Sequence, residues 1–511
     1  MRDVPANLPV PGAIRKRPHG CVPRIIRHCY ARGGRRPIHS TTAHVGTAHE
    51  SEPHFDWDFA FLWVRKFAHY SDLFGDSDVR ITVHRGSRQI GGSCIELVAG
   101  TSRIVLDAGL PLEADLGGAA PALNVPGLFD CEGPPVDGLF LSHAHADHSG
   151  LVSASRAQVP VWLSAGTSKM VMAGGLFARQ PDVPRARQRT LVPGEPVTVG
   201  AFRVTAYPVD HSVFDAMAFL VEADGQRLLY TGDLRFHGRK PGMARQLAKI
   251  AKAAPLDALV IEGTRLGGRA SETNLSELDL EAQVWGDMRA ASGVVLAMYS
   301  PLNVDRFVTY FRAARRARRI FVIDPYQAFV LHLIGRQARL PQPGATPDLR
   351  VLVPPRFSTS GAARRLGHTS WARELRRAEI SADEIAQAPD RFAVLFRQSM
   401  QPWLYASGFS PGKTCLFSYW PGYLREPRLQ SLTEAVNAAG GQFLQRHASG
   451  HAHPDDLRRF VEDVRPRLLV PVHTTSPEAW AKWWVGTKLA MDGVGFTLPT
   501  HEFRSNPNDQ K

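Results

Sequence analysis

Leu141-Ser142-His143-Ala144-His145-Ala146-Asp147-His148-Ser149-Gly150 decides how this chain is read. Four side chains able to ligate a metal, His143, His145, Asp147 and His148, fall within six residues. The apolar run Val136-Asp-Gly-Leu-Phe-Leu141 leads into them and reads as a buried strand. The cluster therefore belongs on a tight loop at the carboxyl end of a strand, where open α/β folds collect ligands. In an extended segment residues 143 and 145 share one side, and Asp147 and His148 then turn toward a neighbouring point. Ser149-Gly150 and a longer, helix-compatible segment follow. Imidazole and carboxylate together suit zinc and similar transition ions. A His-rich surface loop would account for one histidine, but not for four ligating side chains at this spacing behind an apolar strand.

The same punctuation recurs along the chain. Strands at Ile81–His84 and Ser93–Val98 precede Arg103-Ile-Val-Leu-Asp107, with Ala99-Gly100-Thr101 as the hairpin turn. Phe202–Tyr207 runs into Asp210-His211. A hairpin around the Asp224-Gly225 turn ends in Gly232-Asp233, and Leu256–Ile261 ends in Glu262. Each of Asp107, His211, Asp233 and Glu262 alone is an ordinary strand-end polar residue. Together they look like ligands converging on one edge.

Residues 265–440 change character. A helix near 274–291, a strand at Gly293–Tyr299, a helix over 303–319, a strand at Phe321–Asp324 and a helix from Tyr326 alternate. This is the pattern of a second α/β unit with its own parallel sheet. Its middle, 341–390, is rich in Pro and Arg, including Arg356, Arg364, Arg365, Arg373, Arg376 and Arg377. Such a run is either a solvated face or a track for a phosphate backbone. A strand at Thr414–Ser418, a helix over 427–439, the stretch Arg446-His447-Ala448-Ser449-Gly450-His451 and a helix at Pro454–Val464 follow. Arg467-Leu-Leu-Val-Pro-Val472 is then another strand, ending in His473.

The 511 residues suffice for two or three domains with sizeable cores. No apolar run approaches the ~20 residues that span a bilayer, so a soluble protein without a membrane partner is expected. The net charge of +13 fits a polyanionic partner. It is uneven, since residues 1–50 hold nine Arg and Lys against only Asp3 and Glu50. Residues 1–54 read as a disordered basic arm and 55–77 as an amphipathic helical segment. Five scattered cysteines without a CxxC pair fit a reducing, cytoplasmic setting, and Cys94 and Cys415 read as core residues.

His143-x-His145-x-Asp147-His148, with Asp107, His211 and Asp233, resembles the metallo-β-lactamase superfamily. Glu262, the large α/β insertion, His447-Ala-Ser-Gly-His451 and His473 after "LLVPV" resemble its β-CASP branch, and most closely the RNase J-like nucleases. The resemblance implies an αββα sandwich divided as 78–264 and 441–500, with a β-CASP-like insertion over 265–440 and a tail at 501–511. It implies two divalent metal ions, with Zn²⁺ first and Mn²⁺ as the alternative. His143, His145 and His211 would hold one, Asp147, His148 and His473 the other, and Asp233 would bridge. Asp107 would orient the histidine loop, Asp147, Glu262 and His451 would act in catalysis, and His447, Ser449 and Gly450 would bind phosphate. The expected function is cleavage of single-stranded RNA phosphodiesters, as an exo- or endonuclease, with a homodimer as the candidate assembly. DNA processing is the first alternative, and hydrolysis of a small ester, thioester or lactam the second. The chain departs from the RNase J-like pattern where His473 is followed by Thr474-Thr475-Ser476, and in an insertion that reads as abbreviated and Arg-rich.

Overall fold

The structure, a computed structural model, describes residues 78–114, 123–268, 274–367, 369–406 and 414–498. The arm expected over 1–54, the helix expected over 55–77 and the tail at 501–511 lie outside the described residues.

Three sheets form among the described residues. The first runs in space Gly495–Thr497, Arg80–Arg85, Cys94–Ala99, Ser102–Leu106, Gly138–Phe140, Val161–Ser164 and Gln188–Leu191. The second runs Leu468–Val472, Ala258–Glu262, Gln226–Tyr230, Met217–Ala223, Phe202–Pro208 and Pro196–Val199. These two sheets pack face to face. Ile81, Ile95, Ile104, Leu106 and Phe140 of the first meet Phe202, Phe219, Val260 and Val470 of the second in one buried core.

Alternation explains why these strands are apolar throughout. In Ala258–Glu262, Ala258 and Val260 face the partner sheet, while Leu259 and Ile261 face the other way into a second core. Helices such as Gly242–Ala251 and Pro454–Val464 contribute to that second core. A strand covered on both faces needs a continuous apolar run. Burying each Val, Leu or Ile contributes about 1.5–3 kcal/mol. The result is a metallo-β-lactamase-type αββα sandwich.

The third sheet is wholly parallel: Glu379–Ile380, Leu349–Leu352, Ile320–Ile323, Phe392–Leu395, Val295–Met298, Thr414–Phe417 and Gln442–Gln445. In sequence all its strands lie between Ala258–Glu262 and Leu468–Val472, which pair with each other. The chain thus leaves the sandwich beside Glu262, builds a second α/β layer and returns one strand over at His473. The layer packs on the sandwich through helix Ala165–Phe177, where Phe177 stacks on Tyr326 (5.1 Å between centroids, 6°).

Two local readings differ. The helix-compatible segment after Gly150 is only the turn Val152–Ala154, because the one-turn helix Ala146–Ser149 starts inside the histidine cluster. The helix expected over 303–319 ends at Arg316, and Arg319 beyond it is buried and donates to the carbonyls of Met288, Ala291, Gly293 and Phe392. It closes the insertion's core and does not face solvent.

Candidate metal centre

Every expected ligand follows a strand end at the same edge of the sandwich. The first sheet supplies Asp107 and the 143–148 loop, and the second supplies His211, Asp233 and His473. Backbone bonds stitch the two sheets here: the Met217 amide donates to Ser142 O (2.9 Å), and the His473 amide to Gly86 O (2.7 Å). The loop also lies against Gly109, where an added Cβ would come within 1.7 Å of Asp147 O. Only a glycine lets the two segments approach so closely.

Asp107 organises the loop. It sits at φ 60°, an uncommon conformation that Asp tolerates, and it is completely buried. The Ser142 amide donates to Oδ1 (2.7 Å). Oδ2 accepts from the Ser142 hydroxyl (2.7 Å), the Tyr230 hydroxyl (2.7 Å) and His148 Nδ1 (2.8 Å). Holding the proton of His148 on Nδ1 leaves the Nε2 lone pair aimed inward, 3.2 Å from Asp233 Oδ2. A carboxylate behind a ligating imidazole fixes its tautomer in this way.

The inward atoms form three clusters. His143, His145 and His211 make one; Asp147, His148, Asp233 and His473 a second; and Asp233, Glu262, His451 and His473 a third. His145 Nδ1 and His211 Nε2 are 3.1 Å apart, close to the ~3.3 Å that separates two nitrogens on one tetrahedral zinc with ~2.0 Å bonds. His473 Nε2 and Asp147 Oδ2 are likewise 3.1 Å apart. Asp233 Oδ2 lies 3.7 Å from His143 Nε2 and 3.8 Å from His211 Nε2, while Oδ1 lies 3.8 Å from His473 Nδ1. Asp233 therefore stands between the first two clusters.

Four buried atoms here have no hydrogen-bond partner: His143 Nε2, His148 Nε2 and both carboxylate oxygens of Asp233. Leaving a buried polar group unsatisfied costs roughly 1–3 kcal/mol each, and four facing one point are not tolerated without compensation. Divalent cations at the centre would satisfy all four, so the donor set fits metal ions. Burial opposes charge on His148, but Asp233 and Asp107 outweigh it and raise its pKa well above the ordinary value, so a cation there would displace a proton from Nε2; the electrostatics of the other three histidines suit a metal directly. Burial, reinforced by neighbouring imidazoles, pushes His143 and His211 well below their ordinary pKa and lowers His145. All three are therefore neutral, the form that ligates. Burial opposes charge on Asp233, but His148, His473 and His451 outweigh it and keep the carboxylate ionised.

Glu262 and His451 form a separate pair beside the ligands. Glu262 is buried, accepts from the Leu234 amide (3.0 Å) and lies 3.1 Å from His451 Nδ1. Burial opposes charge on His451, yet Glu262 and Asp233 raise its pKa to about 9. His451 remains partly open to solvent, with 23% of its side chain exposed. The Thr264 hydroxyl ties the pair to the ligands, lying 2.6 Å from Glu262 Oε2, 3.1 Å from His451 Nδ1 and 2.8 Å from His473 Nδ1.

The residues expected to bind phosphate also brace this centre. Gly450 O faces His211 Nδ1 at 2.6 Å, and Ser449 O accepts from Arg235 (3.3 Å). His447 Nδ1 donates to Ser418 O (2.9 Å). Burial and the Arg306 charge push His447 down to about 4, so at neutral pH it would meet a phosphate as a neutral partner. Behind them lies a buried ionic network. Glu277 accepts from Arg235 (3.1 Å), Arg306 (3.2 Å) and Thr309 (2.7 Å), and Arg306 also donates to Ala448 O (2.8 Å).

Sequence reading missed Thr264, Tyr230, Arg235, Glu277 and Arg306. Thr264 stood in view, two residues after Glu262. The two arginines and Glu277 gave no local signal, because their partners are tens to more than a hundred residues away.

Residues 102–295 match the beta-lactamase superfamily domain model. The chain is 27% identical over 257 residues to the transcription termination factor FttA of Methanothermobacter thermautotrophicus, covering 45% of this chain and 39% of that protein. It is 22% identical over 412 residues to ribonuclease J 2 of Streptococcus pyogenes, covering 78% and 70% of the two chains. It is 24% identical over 384 residues to ribonuclease J of Mycobacterium tuberculosis, covering 70% and 60%. A solved structure of a protein of unknown function from Enterococcus faecalis superposes with a TM-score of 0.67 at 21% identity, covering 82% of this chain and all of the other. That likeness bears on the fold alone. The chain thus spans 39% of the archaeal factor's length and 60–70% of the two ribonucleases.

Proposed function

We infer, for a chain that belongs to the metallo-β-lactamase superfamily and is homologous to the ribonuclease J and FttA proteins of its β-CASP branch, that it is a two-metal hydrolase cleaving phosphodiester bonds of single-stranded RNA. The observation that carries this reading is the pairing of two histidine sets. One is a seven-residue ligand cluster within the sandwich. The other is a Glu262–His451 pair that exists only because the inserted layer returns the chain beside it. A small ester or thioester needs the first and has no use for the second. DNA is the alternative substrate, open to the same chemistry.

His143, His145 and His211 would hold one ion and Asp147, His148 and His473 the other, with Asp233 shared. Zn²⁺ suits the imidazole-rich set, and Mn²⁺ the carboxylates. Bound there, a metal pair supplies a water of lowered pKa and positive charge on both sides of an in-line displacement. The chain does the rest. Asp107 holds His148 in its ligating tautomer. Glu262 anchors His451 through Nδ1, so its Nε2 is left to donate a proton to the departing oxygen; such proton transfer contributes about 10²–10⁴-fold. Ser449 and Gly450, just before His451, would contact a phosphate oxygen, as would His447.

The proposal includes the division 78–264, 265–440 and 441–500, a cytoplasmic location and a homodimer. Among the described residues no helix is long and apolar enough to cross a membrane, and Cys94, Cys131 and Cys415 are unpaired. The test supplies metal-loaded protein with 5′-labelled single-stranded RNA, the matched DNA and a chromogenic lactam or thioester. Cleavage of RNA, lost in Asp147→Ala, is expected. Turnover of the small ester alone would overturn the reading.

A further inference from the structure

The strand Thr414–Phe417 leaves the inserted sheet at Ser418, beside the metal centre. Ser418 O accepts from His447 Nδ1 (2.9 Å) and from Arg306 (2.8 Å), and its hydroxyl donates to Arg446 O. The start of the 418–425 segment is therefore fastened to the loop that carries His451. Beyond it the chain turns aromatic rings outward: Trp420 is 60% exposed and Tyr423 44%. The other large apolar side chains exposed among the described residues are aliphatic.

These rings are held in place. The six-membered part of the Trp420 indole rests against Gly422, where a Cβ would lie 2.0 Å from the ring. No other residue type leaves it that room. Tyr423 meets Trp420 edge-on (5.6 Å, 87°) and Tyr419 edge-on (6.5 Å, 83°). The Tyr419 hydroxyl donates to Tyr299 O (2.8 Å), anchoring the ladder in the inserted sheet. The segment sits beside the ligands through Ser418, whose bonds to His447 and Arg446 tie it to the loop that carries His451. Arg425, two residues past Tyr423, is exposed.

We propose that Trp420 and Tyr423 form a nucleobase-stacking subsite at the rim of the metal centre, seating one unpaired base of the strand whose phosphodiester lies at the ligands. The inference rests on the nuclease reading and adds to it the recognition element. A rigid, exposed indole accepts the flat face of any base, so binding there is tolerant of sequence. A base inside a duplex has both faces covered by its neighbours, so the subsite selects single strands. A cation beside the rings suits the adjacent phosphate.

The test measures binding of 5′-fluorescent single-stranded RNA to metal-loaded protein by anisotropy, in a His451→Gln host so that the strand stays intact. A series of strands carries one abasic position each. Trp420→Ala should weaken binding of the full strand about 5- to 150-fold. It should also erase the penalty of the abasic substitution at one position and leave the other penalties in place. Trp420→Phe should recover most of the affinity. Tyr423→Leu provides a second variant should the first not fold. A host that binds no RNA defeats the nuclease reading itself. A host that binds RNA while Trp420→Ala binds within twofold of it, or loses equally on every abasic strand, defeats only the stacking subsite.

Discussion

Replacing Asp107 by Asn changes one atom behind His148 and should disable that ligand without altering any group that would hold the ions. Oδ1 must remain an acceptor for the Ser142 amide (2.7 Å). The new amide group therefore takes the place of Oδ2, facing the Ser142 and Tyr230 hydroxyls and His148 Nδ1 at 2.7–2.8 Å. All three donate to Oδ2 in the native chain. The hydroxyls can rotate, but the imidazole can accept at Nδ1 only by moving its proton to Nε2. That atom faces Asp233 at 3.2 Å, and once protonated it cannot bind a cation. Loss of such an orienting partner lowers metal affinity about 10- to 100-fold, or about 1.4–2.7 kcal/mol. Losing hydrogen bonds to a charged acceptor costs a further ~1.5–3 kcal/mol of stability each. Tyr230→Phe separates the two effects: it removes one donor from Asp107, leaves His148 in place, and should cost stability with little change in affinity. Competition of metal-free protein against a chromophoric chelator measures the affinity directly. An Asp107→Asn affinity within about threefold of native, outside the range for lost orienting groups, would refute the tautomer argument.

Two further expectations follow from neighbouring groups. His451→Gln should keep its metal, because His451 lies outside the seven-ligand set, while RNA turnover falls about 10²–10⁴-fold; loss of metal and activity together would make it a ligand instead. Glu277, held far below its ordinary pKa of 4.5 by Arg306 and Arg235 against the cost of burial, contributes stability that is fully present above that value and fades as the pH falls below it. Glu277→Gln should therefore cost about 3–5 kcal/mol at neutral pH, with the gap in urea midpoint narrowing below pH 4.5; a gap independent of pH would show that the charge is not what matters.

Much of the centre is legible in sequence because its ligands end apolar runs. Strands buried on both faces stand out as unbroken apolar stretches, so Asp107, the 143–148 cluster, Asp233, Glu262 and His473 are marked by what precedes them. Edge strands are not marked in this way. Gln188–Leu191 and Pro196–Val199 are short and largely solvent-facing, and both escaped notice. Strand order in the inserted sheet, where Phe392–Leu395 enters between Ile320–Ile323 and Val295–Met298, depends on crossovers that carry no local pattern. The bonds that aim the ligands were the least visible. Nothing around Glu277 announces that it faces Arg235 and Arg306, and nothing around Gly450 that its carbonyl meets His211. Arg319 gives its charge to four carbonyls of the insertion's own core, which no local pattern announces. Arg364, Arg365, Arg373, Arg376 and Arg377 remain exposed.

The central claim is that one chain assembles a two-ion centre around Asp233. Metal content per chain, read by elemental analysis after loading with Zn²⁺ or Mn²⁺ and removal of excess ion, tests it most directly. Two ions per native chain are expected, falling to one or none in Asp233→Asn, with RNA cleavage lost in step. A native chain saturating at one ion, or an Asp233→Asn variant that retains two, would contradict it.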